Sequence, residues 1–243
     1  MTEFYIGTSG WHYEDWIGIF YPQNLPKTKW LGFYSQHFNT VELNNSFYHL
    51  PTEKAFKNWQ VSVPAEFRYS VKVSRFITHI KRLKNAEEAL GKFLSRSRLL
   101  EDKLEVLLYQ LPPQMKINLE TLEAFLTQTP QPLHQVFEFR NKTWMVDSTF
   151  ELLKKYHAGF CIFDMPDFTS PIVSTTKFAY IRFHGSHGLY SSSYSEEELK
   201  SWTRKIKHLA KGLESVYIYF NNDAEAFAVQ NAFTLRQLVS PVA

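Results

Sequence analysis

The chain has 243 residues, a formal charge of +3, 16% aromatic residues and one cysteine, Cys161. This mildly basic balance, without a run of like charges, demands neither nucleic acid nor a membrane surface, and no apolar stretch approaches the ~20 residues of a spanning helix. A lone cysteine excludes an intrachain disulfide, and the N-terminus MTEFYIG enters an apolar run without a leader pattern, so a cytoplasmic protein is expected.

In chain order the first apolar run is Phe4–Ser9 (FYIGTS), followed by a loop with Trp11, Tyr13 and Trp16 and a helical face of Trp30, Phe33, Tyr34 and Phe38. Thr40–Asn44 (TVELN) leads past Phe47, Tyr48 and Pro51 to a helix marked by Phe56 and Trp59. Tyr69–Val73 (YSVKV) precedes a third helix, with Asn85 and Glu88 at capping-box spacing. Glu105–Leu111 (EVLLYQL) and Gln135–Arg140 (QVFEFR) are followed by helices opening at Asn118 and Asp147. After Gly159–Asp164 (GFCIFD) the pattern breaks. Residues 164–177 contain Pro166 and Pro171 and no helical period, which predicts a loop or a single turn. Phe178–His184 (FAYIRFH) is followed by a Gly- and Ser-containing stretch, 185–195, that reads as a mobile flap, then by a helix with a Ser195/Glu198 capping box that stops near Gly212. Val216–Asn222 (VYIYFNN) and a helix from Asp223 complete the pattern.

Strands alternating with helices argue for parallel βαβ units, and eight of them fit the about 250 residues of a (β/α)8 barrel. The expectation is therefore an α/β fold, TIM-barrel-like, one domain over residues 1–243 with an irregular sixth crossover.

Strand alternation also sorts the polar residues. Glu42 and Asn44 oppose Val41 and Leu43; Glu138 and Arg140 oppose Phe137 and Phe139; Lys72 opposes Val71 and Val73; Arg182 and His184 oppose Ile181 and Phe183. Gln110, Asp164 and Asn221 add polar groups from the other strands. All are expected to converge at the upper lumen, the end where such barrels carry their sites. Buried charges persist when paired, hydrogen-bonded or functional, so a salt-bridge network that closes the barrel is the structural alternative.

The segments GTSGWHYEDWIGIFYP (Gly7–Pro22), FNTVELNNSFYHLP (Phe38–Pro51), VKVSRFITH (Val71–His79), YQLPP (Tyr109–Pro113), FEFRNKTW (Phe137–Trp144), YIRFHG (Tyr180–Gly185) and VYIYFNND (Val216–Asp223) together resemble the YecE-like family, also called domain of unknown function 72. The resemblance covers nearly the whole chain in order and implies a TIM-barrel-like fold, with the family's acids and bases on Glu42, Lys72, Glu138, Arg140, Asp164, Arg182 and His184. It implies no reaction.

The residues themselves favour an enzyme, of hydrolase or lyase type, on a small anionic or sugar-like substrate. Arg140 and Arg182 offer planar forks for phosphate or carboxylate, and Lys72 adds a compact charge. Glu42, Glu138, His184 and Asp164 are the candidate catalytic acids and bases, with Glu138 foremost because Arg140 shares its face. Ser9, Trp11, Asn44, Gln110 and Asn221 join Lys72, Arg140 and Arg182 as ligand-binding candidates. The loop aromatics suit stacking on a sugar, or else plug the barrel. No cofactor motif is present, neither G-x-G-x-x-G nor a P-loop. Metal-assisted phosphodiester hydrolysis is the alternative, with Glu42, Glu138, Asp164, His184, His12, His79 and His187 as the available ligands. H-x-H and HExxH pairs are absent and the interleaved cations repel a metal, so no tightly held zinc site is expected, while a single weak Mg²⁺ or Mn²⁺ stays open. A non-catalytic binder of nucleic acid or a metabolite is the remaining alternative, which the net charge does not support; no membrane partner is expected.

Overall fold

Each of the eight apolar runs forms a strand, because β-branched and aromatic residues suit a pleated surface covered on both faces. In the computed structural model, which describes residues 2–130 and 132–239, these are β1 (Glu3–Thr8), β2 (Thr40–Leu43), β3 (Arg68–Lys72), β4 (Leu104–Gln110), β5 (His134–Glu138), β6 (Gly159–Met165), β8 (Phe178–Phe183) and β9 (Ser215–Phe220). A two-residue β7 (Phe168–Thr169) folds back antiparallel on β6. The long strands pair in parallel in the order β1-β9-β8-β6-β5-β4-β3-β2. The result is the expected TIM-barrel-like sheet, nearly closed.

The seam between β1 and β2 is closed by other means. One bridge joins Ser9 to Glu42, and the Gly10 N–H donates to the Glu42 carbonyl at 2.8 Å. Below it, the hydroxyl of Tyr34, on helix α1 (Trp30–His37), accepts from the Thr8 N–H at 2.9 Å and donates to the Thr40 carbonyl at 3.1 Å. A buried side chain thus satisfies backbone groups that a direct ladder would have paired. Gly7 permits the close approach, since a Cβ there would lie 2.3 Å from the Thr40 carbonyl oxygen.

Helices cover the outer face: α2 (Asn45–Tyr48), α3 (Glu53–Val61), α4 (Glu87–Ser97), α5 (Leu119–Leu126), α6 (Asp147–Lys155), α7 (Glu196–Leu209) and α8 (Phe227–Val239). Asn118 caps α5 by accepting from the Thr121 N–H at 2.8 Å, and Ser195 with Glu198 forms the full capping box of α7. Asn85 does not cap α4. It has φ +47°, within a left-handed stretch that includes Arg82 and Leu83, and Ala86 precedes the helix instead. The chain needs that backbone to turn out of a wide turn at Phe76–Ile80, so Asn85 serves the turn rather than the cap.

The sixth connection has no helix, as its prolines predict. After the β6–β7 hairpin the chain runs back along β6. Ser170 Oγ accepts from the Phe163 N–H at 2.9 Å, and Thr175 Oγ1 accepts from the Phe160 N–H at 2.9 Å while donating to the Ala158 carbonyl at 2.6 Å. Hydroxyls here take a share of the satisfaction that a crossover helix leaves to the ladder.

Inside the barrel, Val106, Leu108, Val136, Cys161, Phe178, Tyr180, Tyr217 and Tyr219 form a buried cluster, with Tyr5 packed against it. This is the lower storey of the lumen. The Tyr219 hydroxyl reaches Thr40 Oγ1 at 2.6 Å and Ser70 Oγ at 2.8 Å, so the plug is apolar in bulk with its polar tips paired. Among the described residues, no helix is long and apolar enough to cross a membrane.

Candidate active site at the barrel mouth

The upper storey is charged and organised around Arg182. Its Nη2 donates to Glu42 Oε1 at 2.7 Å and its Nη1 to Glu138 Oε2 at 2.6 Å, and all three side chains are fully buried. Glu42 is further held by Ser9 Oγ at 2.6 Å and by the Tyr180 hydroxyl at 2.6 Å. Arg140 Nε donates to the other oxygen of Glu138. Burial alone would raise the Glu138 pKa, but Arg140 and Arg182, with Lys72, outweigh it and hold the carboxyl well below the usual range. Burial likewise works against the charge of Arg182, and Glu42 with Glu138 raises its pKa regardless. Two carboxylates and two guanidinium groups therefore match in number and oppose each other in sign.

Arg140 also reaches outward, with a side chain 10% exposed. Its Nη1 faces Met165 Sδ at 2.6 Å and its Nη2 lies 3.0 Å from His184 Nε2. A guanidinium only donates, so Nε2 accepts and the His184 proton sits on Nδ1. The Asn221 carboxamide lies with Nδ2 3.1 Å from Nδ1; two donors cannot face each other, so the assignment that fits the Arg140 contact turns the amide to present its oxygen there. Burial, then Arg182 and Arg140, press the His184 pKa well below its ordinary value, consistent with a neutral ring.

Lys72 is different. It is 9% exposed, and among the described residues its Nζ has no hydrogen-bond acceptor or ion-pair partner. It stands 4.3 Å from the centre of the Phe47 ring. Burial first, then the charge of Arg182, bring its pKa down to about 7. Continuing the β2–β3 register one step past Leu43 and Val71 sets Asn44 level with it. Asn44 Oδ1 is buried without a partner, and the residue lines a cavity of about 430 Å³ with Gly10, Trp11, His12, Tyr13, Asn45 and Trp59.

The structure brings Glu42, Lys72, Glu138, Arg140, Arg182, His184 and Asn221 to one lumen, with Gln110 half-buried at the end of β4, level with Glu138. Asp164 is not among them. It pairs in register with Phe183, whereas Phe163 pairs with Arg182, so Asp164 lies on the outer face of its strand. There it accepts from the Tyr194 hydroxyl at 3.0 Å and from Thr169 Oγ1 at 2.5 Å, which ties the β7 hairpin to the loop before α7. Ser9 is occupied by Glu42, and both forks of Arg182 are occupied by carboxylates.

The aromatic loops divide. Trp11, Trp16, Phe47 and Tyr194 are buried in packing, while Tyr48 and Tyr190 are exposed. The stretch expected as a flap is anchored: Tyr190 N–H donates to the His184 carbonyl, Asn222 Nδ2 to the Ser192 carbonyl, and Asn231 brackets Tyr194 through its N–H and carbonyl. Tyr190 stands edge-on to His184, with ring centres 5.5 Å apart. Sequence reasoning missed Tyr180, although it shares the face of Arg182 and His184 and parity alone would find it. It also missed Met165 against Arg140, for which the strand pattern holds no signal. Among the described residues, no three side chains of His, Cys, Asp or Glu gather as a metal would need.

The family described as "Protein of unknown function DUF72" matches residues 5–242. The UPF0759 protein YunF of Bacillus subtilis is 26% identical over 269 residues, covering 97% of this chain and 94% of YunF. The UPF0759 protein YecE of Escherichia coli K12 is 28% identical over 138 residues, or 56% of this chain and 48% of YecE. A crystal structure of a DUF72-family protein from Thermotoga maritima superposes with a TM-score of 0.88 at 30% identity, covering 98% of this chain and 99% of that one. One from Enterococcus faecalis superposes with a TM-score of 0.84 at 19% identity, covering 99% and 96%, a likeness of fold alone.

Proposed function

The chain belongs to DUF72, a family of unknown function, and we propose that it is an enzyme, of hydrolase or lyase type, acting on a small anionic or sugar-like substrate at the barrel mouth. The observation that carries this reading is the surplus cation. Arg140 and Arg182 form ion pairs with Glu138 and Glu42, whereas Lys72, within the field of the same acids, forms no ion pair among the described residues. The Lys72 amine has no protein acceptor among the described residues and sits on a residue 9% exposed, so an arriving anion is the group that completes it.

The anion docks between Lys72 and the outward N–H groups of Arg140, which now meet only a thioether and an imidazole lone pair. In this reading Asn44, Gln110 and Asn221 hold polar groups around it. As Arg140 turns to the ligand, Glu138 retains Arg182 alone, and its basicity rises from the low resting value. Glu138 thereby becomes a proton acceptor only when substrate is present. Glu42, held by Ser9, Tyr180 and Arg182, positions the arginine.

The test is calorimetric titration of inorganic phosphate, sugar phosphates and the parent sugars into the wild type, Lys72→Met and Arg140→Met. Phosphorylated ligands are expected to bind the wild type, and each variant on the order of tenfold more weakly, the size of one charge-assisted contact. No binding to the wild type, or equal binding to all three proteins, overturns the proposal.

A further inference from the structure

Two lysines are buried among the described residues, and they are built for different ends. Lys103 is structural: its Nζ donates to the Gln60 and Val63 carbonyls at the C-terminus of α3, where a cation satisfies orphan acceptors. Lys72 has no such acceptor. It ends β3 at the mouth of the barrel, its carbonyl fixed by Ser46 Oγ at 2.7 Å and its amine poised over Phe47. A lysine serving stability would show the bonds that Lys103 shows.

We propose that Lys72 is an amine nucleophile that forms an imine with the carbonyl carbon of an aldehyde or ketone bearing an anionic group. The inference rests on the anion reading above, and it names the substrate class. The pKa of about 7 leaves a substantial share of the amine neutral at neutral pH, which an exposed lysine does not have.

The step balances without a redox partner. The Lys72 nitrogen lone pair adds to the carbonyl carbon, the nitrogen gives up a proton and the oxygen gains one. The carbon–oxygen bond of the carbinolamine then breaks, C=N forms and water leaves. Asn44 Oδ1, buried without a partner one residue past the end of β2, the strand that neighbours β3, is the acceptor assigned to the carbinolamine hydroxyl. His79 packs edge-on against the same Phe47 ring, with centres 5.0 Å apart. Burial and then the charge of Lys72 lower the His79 pKa to about 4, so this second group at the Phe47 ring adds no positive charge at neutral pH.

The experiment incubates the wild type at pH 7 with glycolaldehyde phosphate or with glycolaldehyde, each with sodium cyanoborohydride to reduce the imine to a stable secondary amine. Adducts are then mapped by peptide mass spectrometry. Lys72 is expected to label on the order of tenfold faster than any exposed lysine with the phosphorylated probe, and inorganic phosphate is expected to slow it. Lys72→Arg keeps the cation, so it is expected to bind phosphate and to lose the fast adduct. Adducts confined to exposed lysines, in protein that binds phosphate by calorimetry, overturn the imine and leave the anion reading standing. Fast Lys72 labelling by both probes, indifferent to phosphate, keeps the imine and overturns the anion reading. Neither labelling nor phosphate binding overturns both.

Discussion

Around one barrel mouth, two arcs treat charge in opposite ways. From β2 across to β5 and β8, Glu42, Arg182 and Glu138 are fully buried and joined by hydrogen bonds of 2.6–2.7 Å, with Ser9 adding a second donor to the Glu42 oxygen that Arg182 bonds and Tyr180 donating to the other. At β3, Lys72 is nearly as deep and has an aromatic face in place of a counter-ion. The first arc behaves as closure, the structural alternative read from the sequence. The second does not, because closure needs partners. A single lumen therefore contains a salt-bridge network and, beside it, a lysine that has no protein acceptor among the described residues. Arg140 sits where the arcs meet, with one edge on Glu138 and the other on Met165 and His184.

This contrast is open to direct attack. The largest effect is expected from Arg182→Met, which leaves two carboxylates buried without their shared cation. Breaking such a pair costs about 3–5 kcal/mol, so urea denaturation should show a loss of that order and a melting point lower by roughly 10 °C. A loss under about 1 kcal/mol would mean the arc is wet and open, and the contrast would collapse.

Next in size is a pH dependence that belongs to Lys72. Its pKa is depressed from the model-compound 10.5 to about 7, so between those values the unfolded chain binds the proton and the folded chain does not. Stability from this group therefore rises with pH through that window and is flat below it, where the penalty of the buried charge is fully present. The wild type, referenced to Lys72→Met, should gain roughly 2 kcal/mol from pH 7 to pH 9. A flat difference, or one that falls, would show that Lys72 is paired after all.

Tyr34→Phe removes an uncharged link at the β1–β2 seam and strands the Thr8 N–H and the Thr40 carbonyl. About 1–2 kcal/mol should be lost in the same denaturation assay, less than for Arg182→Met because no charge is orphaned. An effect equal to that of Arg182→Met would assign barrel closure to the seam rather than to the ion network. The smallest expected change is none at all: the His184 ring, followed by nitrogen NMR, should stay in its neutral Nδ1–H form from pH 8 to pH 5. Protonation inside that range would mean that Arg140 does not donate to it.

The strands, the missing sixth helix and the α7 capping box were legible in the chain itself, because each depends on residues within a few positions of one another. Alternation of period two reports which face of a strand a side chain takes, and proline and capping chemistry act within a single turn. The same parity located Glu42, Lys72, Glu138, Arg140, Arg182, His184 and Asn221 in the lumen. Applied strictly from Cys161 and Phe163, it would also have sent Asp164 to the outer face, where it meets Tyr194. Partnership was not legible. That Arg182 lies between Glu42 and Glu138, 140 and 44 positions away along the chain, follows from the stagger of the strands around the closed sheet. The lone state of Lys72 has the same origin. Charge type is a property of a residue, but pairing is a distance across the barrel, and that distance exists only once all eight strands are in register.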